Sequence, residues 1–290
     1  MKFSSYHPMI NLIYFAAAVF FAACFRHPVF LSISYIAAFF YSVKLKGRKT
    51  FVFNLFLMIM ILIYSFIYAY FNHFGVTDIG VTIIGNSITL ESWVYGIVKG
   101  TAAASVLMIM NCFICVFSSD KIVYVFGRIV PVLSLFISII FRSAAKTKIK
   151  IKKIELARQG IGKGAAQGNI CEKIHNKTAI ISALVVSTAE DFIKEADSMK
   201  SRGYTLRGRS AFSIYRFDNR DRFAVLILCA LIVTMFAALS LDQTNIYYNP
   251  EIIFNRITFV SYIFYAVYFF FLLFPVISQF NMKRIFKIRK

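Results

Sequence analysis

Residues 51–71 read FVFNLFLMIMILIYSFIYAYF, an apolar run without a charged side chain. A helix needs about 20 such residues to cross roughly 30 Å of hydrocarbon. The rest of the chain has a similar composition, since 59% of its 290 residues are hydrophobic and 33 are Phe, whereas soluble domains are about 45–50% apolar. The sequence therefore predicts an all-α integral membrane protein rather than a set of soluble domains.

Apolar segments on both sides of this run predict about six transmembrane helices in total. Toward the N-terminus, residues 9–25 and 29–43 are each slightly short and are separated by Arg26-His27-Pro28. They form either two short helices in a tight hairpin or one kinked helix. Toward the C-terminus, we expect a short external hairpin at 72–91 and crossings at 93–117, 223–241 and 257–277.

The basic clusters of the chain indicate its orientation. Residues 44–49, the segment 142–222 and the tail 283–290 are all basic and fall on one side of the membrane, while 72–91 and 242–255 fall on the other side and carry acidic residues. Cytoplasmic loops carry an excess of Lys and Arg. We therefore expect a multi-pass protein of a bacterial-type cell (plasma) membrane with both termini in the cytoplasm. The net charge of +20 follows from this topology and does not indicate nucleic-acid binding.

The segment 122–141 is apolar but is interrupted by Gly127 and Pro131. Both of its flanks are expected in the cytoplasm, so we predict a helix at the inner leaflet that continues into the basic segment. The chain then divides into N-terminal transmembrane helices at 1–121, an inner-leaflet segment with cytoplasmic helices at 122–222, and a C-terminal helix pair with a basic tail at 223–290.

The basic segment 142–222 holds eighteen Lys and Arg against eight Asp and Glu and predicts two long amphipathic cytoplasmic helices. Lysines alternate with Ile and Leu over 146–156, which also fits a strand, but the flanking alanines favour a helix that stops at 160–164. In the second helix, apolar residues recur every three or four positions over 181–199, and Gly203 provides a stop. Small and medium side chains on this helix predict a stripe along which the two helices pack and slide: Ala183, Thr188, Ala189 and Ala196.

Each predicted helix ends in a small residue followed by arginine and glycine. The first end is Ala157-Arg158-Gln159-Gly160, and the second is Ser201-Arg202-Gly203-Tyr204. The small residue lets the helix end enter a groove, and the glycine lets the chain turn away. The arginine presents a planar set of donors for carboxylates and carbonyls. Two such ends in the largest cytoplasmic segment predict the docking of partner proteins.

This pair of motifs resembles that of the transmembrane T component of energy-coupling factor (ECF) transporters, which import vitamins or metal ions. The second motif, together with the preceding Ala196-Asp197-Ser198-Met199, matches the family pattern closely. In the first motif, either Arg158 takes the place of the family's arginine, which we prefer, or Gln159 does. The similarity covers roughly residues 99–204.

The resemblance implies a non-catalytic coupling subunit without a cofactor. Each motif would insert into one of two ABC ATPase subunits, which bind the ATP. A separate small membrane protein would capture the solute, and this chain would transmit the ATP-driven motion to it.

Two other functions fit the sequence less well. The permease of an ordinary ABC importer has one coupling loop, and Glu155-Leu156-Ala157…Gly160 is weakly similar to it. A single loop of this kind leaves the second motif at Arg202 unexplained. A membrane-embedded enzyme needs buried acids, a metal cluster or an activated nucleophile, whereas Lys99 is the main ionisable residue within the predicted spans. The four His are scattered and the pair Cys112 and Cys115 has no second ligand pair nearby, so no metal site is expected.

Overall fold

The computed structural model describes residues 3–81, 87–204, 215, 217–249, 251–253 and 258–288. Within them the chain forms nine α-helices: α1 (Pro8–Cys24), α2 (Pro28–Lys46), α3 (Arg48–Phe71), α4 (Leu90–Val116), α5 (Ser119–Ile129), α6 (Pro131–Gly160), α7 (Ile170–Ser201), α8 (Asn219–Ser240) and α9 (Phe259–Ile288). Two short strands, β1 (Asp78–Val81) and β2 (Ser87–Thr89), pair antiparallel between α3 and α4. The prediction of an all-α membrane protein is confirmed.

Five of these helices are long and apolar enough to cross a membrane, namely α2, α3, α4, α8 and the part of α9 from Phe259 to Ser278. The chain is therefore a multi-pass membrane protein. The remaining predicted crossing, α1, is a shorter apolar helix of 17 residues. Residues 9–43 form two helices and not one kinked helix, because Pro28 begins α2 and disfavours a helical conformation at His27, which has φ −76° and ψ 129°.

The chain packs as two compact units. The first unit comprises Met1–Ser118 and Tyr215–Lys290, and the second comprises Ser119–Ile214. Aromatic side chains dominate the core of the first unit, including the fully buried Phe3, Phe21, Phe25, Phe30, Tyr268 and Phe271. Buried hydroxyls add polar links between its helices, since the hydroxyl of Tyr268 on α9 lies 2.6 Å from Ser34 Oγ on α2. Such links and close packing hold helices together in lipid, where water exclusion does not act.

α3 and α4 of the first unit pack closely against each other at two glycines of α4. A Cβ atom at Gly96 would lie 2.9 Å from the Cα and the carbonyl oxygen of Ser65, and one at Gly100 would lie 3.2 Å from Ile61. Ser65 Oγ also donates a hydrogen bond of 2.9 Å to the carbonyl of Trp93. Two glycines four residues apart let membrane helices approach to backbone contact. α3 and α4 therefore pack with their backbones in close contact.

The connections that the sequence places outside the membrane meet at one end of the first unit. The carbonyl of Thr244, between α8 and α9, accepts hydrogen bonds from the amides of Arg26 at 3.1 Å and His27 at 3.0 Å. The ring of Tyr248, in the same connection, lies 5.3 Å from that of Tyr95 near the start of α4. The described helices of this unit therefore alternate in direction.

In the second unit, the segment 122–141, for which we predicted one helix, is divided between two helices. α5 ends at Ile129, α6 begins at Pro131, and Val130 between them is extended with φ −136° and ψ 95°. The break arises because a proline disfavours a helical conformation at the residue before it. Ser134 Oγ donates a 2.8 Å hydrogen bond to the carbonyl of Val123 and links the two helices. α6 then continues without a break to Gly160, so the predicted continuation of the apolar segment into the basic one is confirmed.

Candidate functional site

α6 and α7 form an antiparallel helical hairpin that carries both predicted motifs. Arg142 of α6 forms an ion pair with Glu195 of α7. Two turns further along α6, the ammonium of Lys150 lies 2.6 Å from the carboxylate of Asp191 and donates a 2.8 Å hydrogen bond to the carbonyl of Ser187. These contacts fix the register of the two helices. Residues 146–156, whose alternating pattern also fits a strand, are helical, so the prediction of a helix is confirmed.

The middle of the seam between the two helices is lined by hydroxyl side chains, charged side chains and Phe192. Half-buried Ser143 and Thr147 on α6 and half-buried Thr188 on α7 lie beside the ion pairs. The pairs are partly exposed, with 57% of the Arg142 side chain and 50% of the Asp191 side chain accessible to solvent. An exposed ion pair contributes about 1 kcal/mol or less. The seam is therefore held by contacts that break and re-form at a small free-energy cost.

Positive charge surrounds the carboxylate at the centre of this seam. The hydrogen bond from Lys150 lowers the pKa of Asp191, and the nearby charges of Lys150 and Lys194 lower it further. A carboxylate with a depressed pKa stabilises the folded state above its unfolded pKa, and this contribution disappears as the pH falls through the folded pKa. The contact between Lys150 and Asp191 therefore persists at neutral pH and is lost only in acid.

The predicted stripe of small residues lies only partly along the seam. Thr188 lines the seam and Ala196 is half-buried, whereas Ala183 and Ala189 are exposed. At 3.6 residues per turn these four positions do not share one helix face. The contact between α6 and α7 therefore depends on Thr188 and the ion-paired residues and not on the two exposed alanines.

The first tip, residues 157–163, ends α6 in a Schellman motif. The amide of Lys163 donates to the carbonyl of Arg158 at 2.9 Å, and the amide of Gly162 donates to that of Gln159 at 3.1 Å. Gly162 provides the left-handed residue that this cap requires, with φ 73°. The sequence predicts the turn at Gly160, but Gly160 is the last residue of α6 and the turn comes two residues later, because Gly162 is the glycine whose amide closes the cap.

The second tip, residues 199–204, ends α7 in the same motif. The amide of Tyr204 donates to the carbonyl of Met199 at 3.0 Å, and the amide of Gly203 donates to that of Lys200 at 3.0 Å. Gly203 has φ 72°, so the predicted stop at this glycine is confirmed. Arg202 caps the helix immediately before the left-handed glycine, and it is exposed.

The two tips share a backbone conformation but differ in side chains at equivalent positions. The position before the left-handed glycine holds Arg202 in the second tip and Ile161 in the first. Arg158 lies one turn earlier and folds onto its own cap, with Nε 3.4 Å from the carbonyl of Lys163. Neither Arg158 nor Gln159 is therefore the backbone equivalent of Arg202. Of the predicted motif residues, five are exposed (Ala157, Gln159, Gly160, Ser201 and Arg202) and three are half-buried (Arg158, Gly203 and Tyr204).

An open hollow borders each tip. The hollow at the first tip has a volume of about 560 Å³ and is lined in part by Arg158 and Lys163. The one at the second tip has a volume of about 570 Å³, and Lys146 and Arg202 contribute to its wall. Lys and Arg outnumber Asp and Glu in both linings. Both hollows therefore suit a partner surface that presents carboxylates.

The loop between the helices, residues 161–169, is tied to α7 by a residue that the sequence analysis did not single out. The side-chain amide of Asn176 donates to the carbonyls of Gly164 and Gln167, each at 3.3 Å. The amide of Gly164 in turn donates to the side chain of Gln167 at 2.8 Å, and Asn169 begins a capping box at the start of α7. In the sequence, Asn176 is distinguished only by being a polar residue one helical turn before Ile180, which is buried.

The two tips lie at opposite ends of the hairpin. The ion pairs fix the helix register, and at about 1.5 Å of rise per residue the tips are roughly 35 Å apart. One small groove cannot hold both. The two tips are therefore too far apart to contact the same small surface.

Comparison with known proteins leaves the family unassigned. No protein-family model matches the chain, and no curated protein does. The two tips, the hairpin register and the apolar helices are the observations on which a function rests.

Replacing the left-handed glycine of either tip should loosen its cap. We expect Gly162→Ala and Gly203→Ala each to cost about 1–2 kcal/mol, because an L-residue is strained in this conformation. Amide hydrogen exchange at Lys163 or Tyr204 should then accelerate roughly tenfold. Gly160→Ala is the control, because Gly160 is helical and a Cβ there meets nothing within 4 Å. Equal acceleration in all three variants would contradict the two caps.

Proposed function

We propose that this chain is the membrane-embedded coupling subunit of an ABC importer of the energy-coupling factor type. Two ABC ATPase subunits bind and hydrolyse ATP, and each of them engages one tip of the hairpin. A separate small membrane protein captures the solute, a vitamin or a metal ion. The chain itself carries no cofactor and no catalytic residue. It transmits the motion of the ATPases to the capturing protein.

The observation that carries this proposal is the pair of tips on one hairpin. Both end in the same Schellman motif, with left-handed Gly162 and Gly203. Two equivalent ATPase subunits present two copies of the same binding surface. Two helix ends with the same backbone conformation are suited to bind them. The separation of roughly 35 Å, from the helix rise, leaves room for one subunit at each tip.

The charge of the tips supports the same partners. Within residues 119–204 the described ion pairs are Arg142 with Glu195 and Lys150 with Asp191, and neither includes Arg158 or Arg202. An arginine forms strong charge-assisted hydrogen bonds with a carboxylate, often two in parallel. We propose that each ATPase groove provides such a carboxylate.

The orientation is part of the proposal. The hairpin belongs to the basic segment 142–222, and Lys and Arg mark the cytoplasmic side of membrane proteins. This places the tips where ATP is available. Both termini lie on the same side, and the membrane is a bacterial-type cell membrane.

Purification of the tagged chain from its native membrane tests the proposal. We expect two ABC ATPase subunits per chain and a small membrane protein that retains the solute. Recovery of ATPases with two copies of this chain, and without a small membrane protein, would favour the permease of an ordinary importer. Recovery of the chain without any ATPase would overturn both functions.

The first tip offers a direct test of which side chain enters the groove. Arg158 lines the hollow at this tip, whereas Gln159 does not. We therefore expect Arg158→Ala to reduce transport more than Gln159→Ala does. The measurement is solute uptake in proteoliposomes at matched protein levels. If Ile161→Ala has the largest effect, the position equivalent to Arg202 makes the contact instead.

A further inference from the structure

The side of α6 that faces away from α7 carries both lysines and exposed apolar side chains. Successive turns of this side place Phe141, Ile149, Lys152 and Leu156 along one line, with Lys148 and Lys153 on its two flanks. Ile149 is 61% exposed and Leu156 is 67% exposed. We call Phe141, Lys148, Ile149, Lys152, Lys153 and Leu156 the outer face of α6. Its composition is typical of a helix that lies on a membrane surface.

The lysines of the outer face differ from the cations of the seam. Arg142 and Lys150 point toward α7 and form ion pairs with its acids. Lys148, Lys152 and Lys153 are exposed and belong to neither of the described ion pairs of this unit. α6 therefore carries two cations that pair with acids of α7 and, on the outer face, three lysines that belong to no described ion pair. These three lysines are available to anions from outside the chain.

The same helix begins with an apolar stretch that indicates where these anions lie. Leu133, Phe136 and Ile140 are 40%, 61% and 47% exposed, and α6 runs from them into the basic stretch without a break. A helix leaving the membrane steeply would carry Ile149 about 12 Å and Leu156 about 22 Å beyond Phe141, into water. A helix lying flat keeps all three in the interface and places the lysines at the level of the lipid headgroups.

We propose that the outer face of α6 is a binding surface for anionic phospholipid headgroups of the membrane that the chain itself spans. Ile149 and Leu156 enter the boundary between headgroups and acyl chains, and Lys148, Lys152 and Lys153 contact lipid phosphates. This inference does not depend on the identity of the transporter, because it rests only on α6 and on the apolar helices.

Lipid is favoured over a protein partner because of the mixture of side chains. Among the described residues of α6 the acids are limited to Glu155, which is half-buried and lies three residues after Lys152, so the three lysines leave this side of the helix with a net positive charge. Each lysine near an anionic leaflet strengthens association roughly fivefold. Neutralising two of the three should therefore weaken the attachment of α6 roughly thirtyfold.

Tryptophan fluorescence in vesicles tests the proposal. The chain contains one Trp, Trp93, so Ile149→Trp in a Trp93→Phe background reports on the outer face alone. The full chain is reconstituted into phosphatidylcholine vesicles with or without phosphatidylglycerol, each also prepared with lipids brominated near the headgroup. We expect a blue-shifted emission and strong bromine quenching in the anionic vesicles. Both should fall sharply in the zwitterionic ones.

Matched variants separate charge from position. The double substitution Lys148→Gln and Lys152→Gln should remove the quenching, whereas Lys148→Arg with Lys152→Arg should preserve it. Glu190→Trp, on the exposed polar side of α7, gives the reference for a residue in water. Equal quenching of Ile149→Trp in both lipid mixtures, or quenching unchanged by the Gln substitutions, overturns the proposal. If the Gln substitutions reduce ATPase recovery and leave quenching unchanged, the outer face belongs to a protein partner.

Discussion

Arg202→Ala should nearly abolish association of the chain with the ATPase subunits that we propose as its partners, while the protein still inserts in the membrane. Arg202 is exposed at the end of a 32-residue helix, and the hydrogen bonds of its cap come from the backbone of its neighbours. Its side chain is therefore dispensable for the tip and available to a partner. Removing an arginine from a desolvated charge pair costs about 2–5 kcal/mol, because the partner's charge is left unpaired. The affinity measured by pull-down should fall by more than roughly thirtyfold.

The control for this substitution is Arg222→Ala, which removes an exposed arginine in the first turn of α8. It changes the net charge by the same amount at a residue that belongs to neither tip, so we expect ATPase recovery and transport to be unchanged. Normal transport together with normal complex yield in Arg202→Ala would contradict the role of the second tip. An equal loss of ATPase recovery in Arg222→Ala would show that the effect arises from the overall charge and not from the second tip.

The sequence predicted the elements whose signal is local. Apolar runs such as 51–71 and 223–241 are long enough that length and composition decide the structure, and α3 and α8 follow them closely. Gly203 was predicted as a helix stop because an amphipathic pattern ends directly before it. The first tip was predicted less accurately, because Gly160, Gly162 and Gly164 all permit a turn and only the cap hydrogen bonds select Gly162.

The features that the sequence did not predict depend on contacts between distant residues. Gly96 and Gly100 on α4 are recognisable as a packing site only once Ser65 and Ile61 of α3 are seen against them. The division of small residues on α7 into seam and exposed positions likewise requires the register with α6. That register is set by Lys150 and Asp191, 41 residues apart in the chain.

The register of α6 against α7 also determines how motion can be transmitted between the two tips. If each ATPase subunit holds one tip, closure of the two subunits on ATP loads the hairpin along its length. The seam resists this load with two partly exposed ion pairs and with the hydroxyls of Ser143, Thr147 and Thr188. Small sliding of packed helices is a common way to transmit such motion. We expect α6 to slide along α7 and to move α5 through the link between Ser134 and Val123.

A crosslink across the middle of the seam should therefore block transport without preventing ATPase binding. Thr147→Cys on α6 and Thr188→Cys on α7 place two thiols in the same small hollow between the helices. The native cysteines at 24, 112, 115, 171 and 229 are replaced first. We expect uptake in proteoliposomes to fall to the level without ATP once a short, reducible crosslinker has reacted. Reduction of the crosslink should restore it.

The control keeps the same reagent within one helix. Val186→Cys and Glu190→Cys lie four residues apart on exposed positions of α7, so their crosslink stiffens one turn without joining α7 to α6. Transport should persist in that variant, and ATPase recovery should be equal in both. Because the tips themselves lie roughly 35 Å apart, a short crosslinker joins the helices only at the seam. Unchanged transport with the seam crosslink fully formed would show that α6 and α7 move as one rigid body. The hairpin would then transmit the motion by moving as a whole, without sliding of α6 along α7.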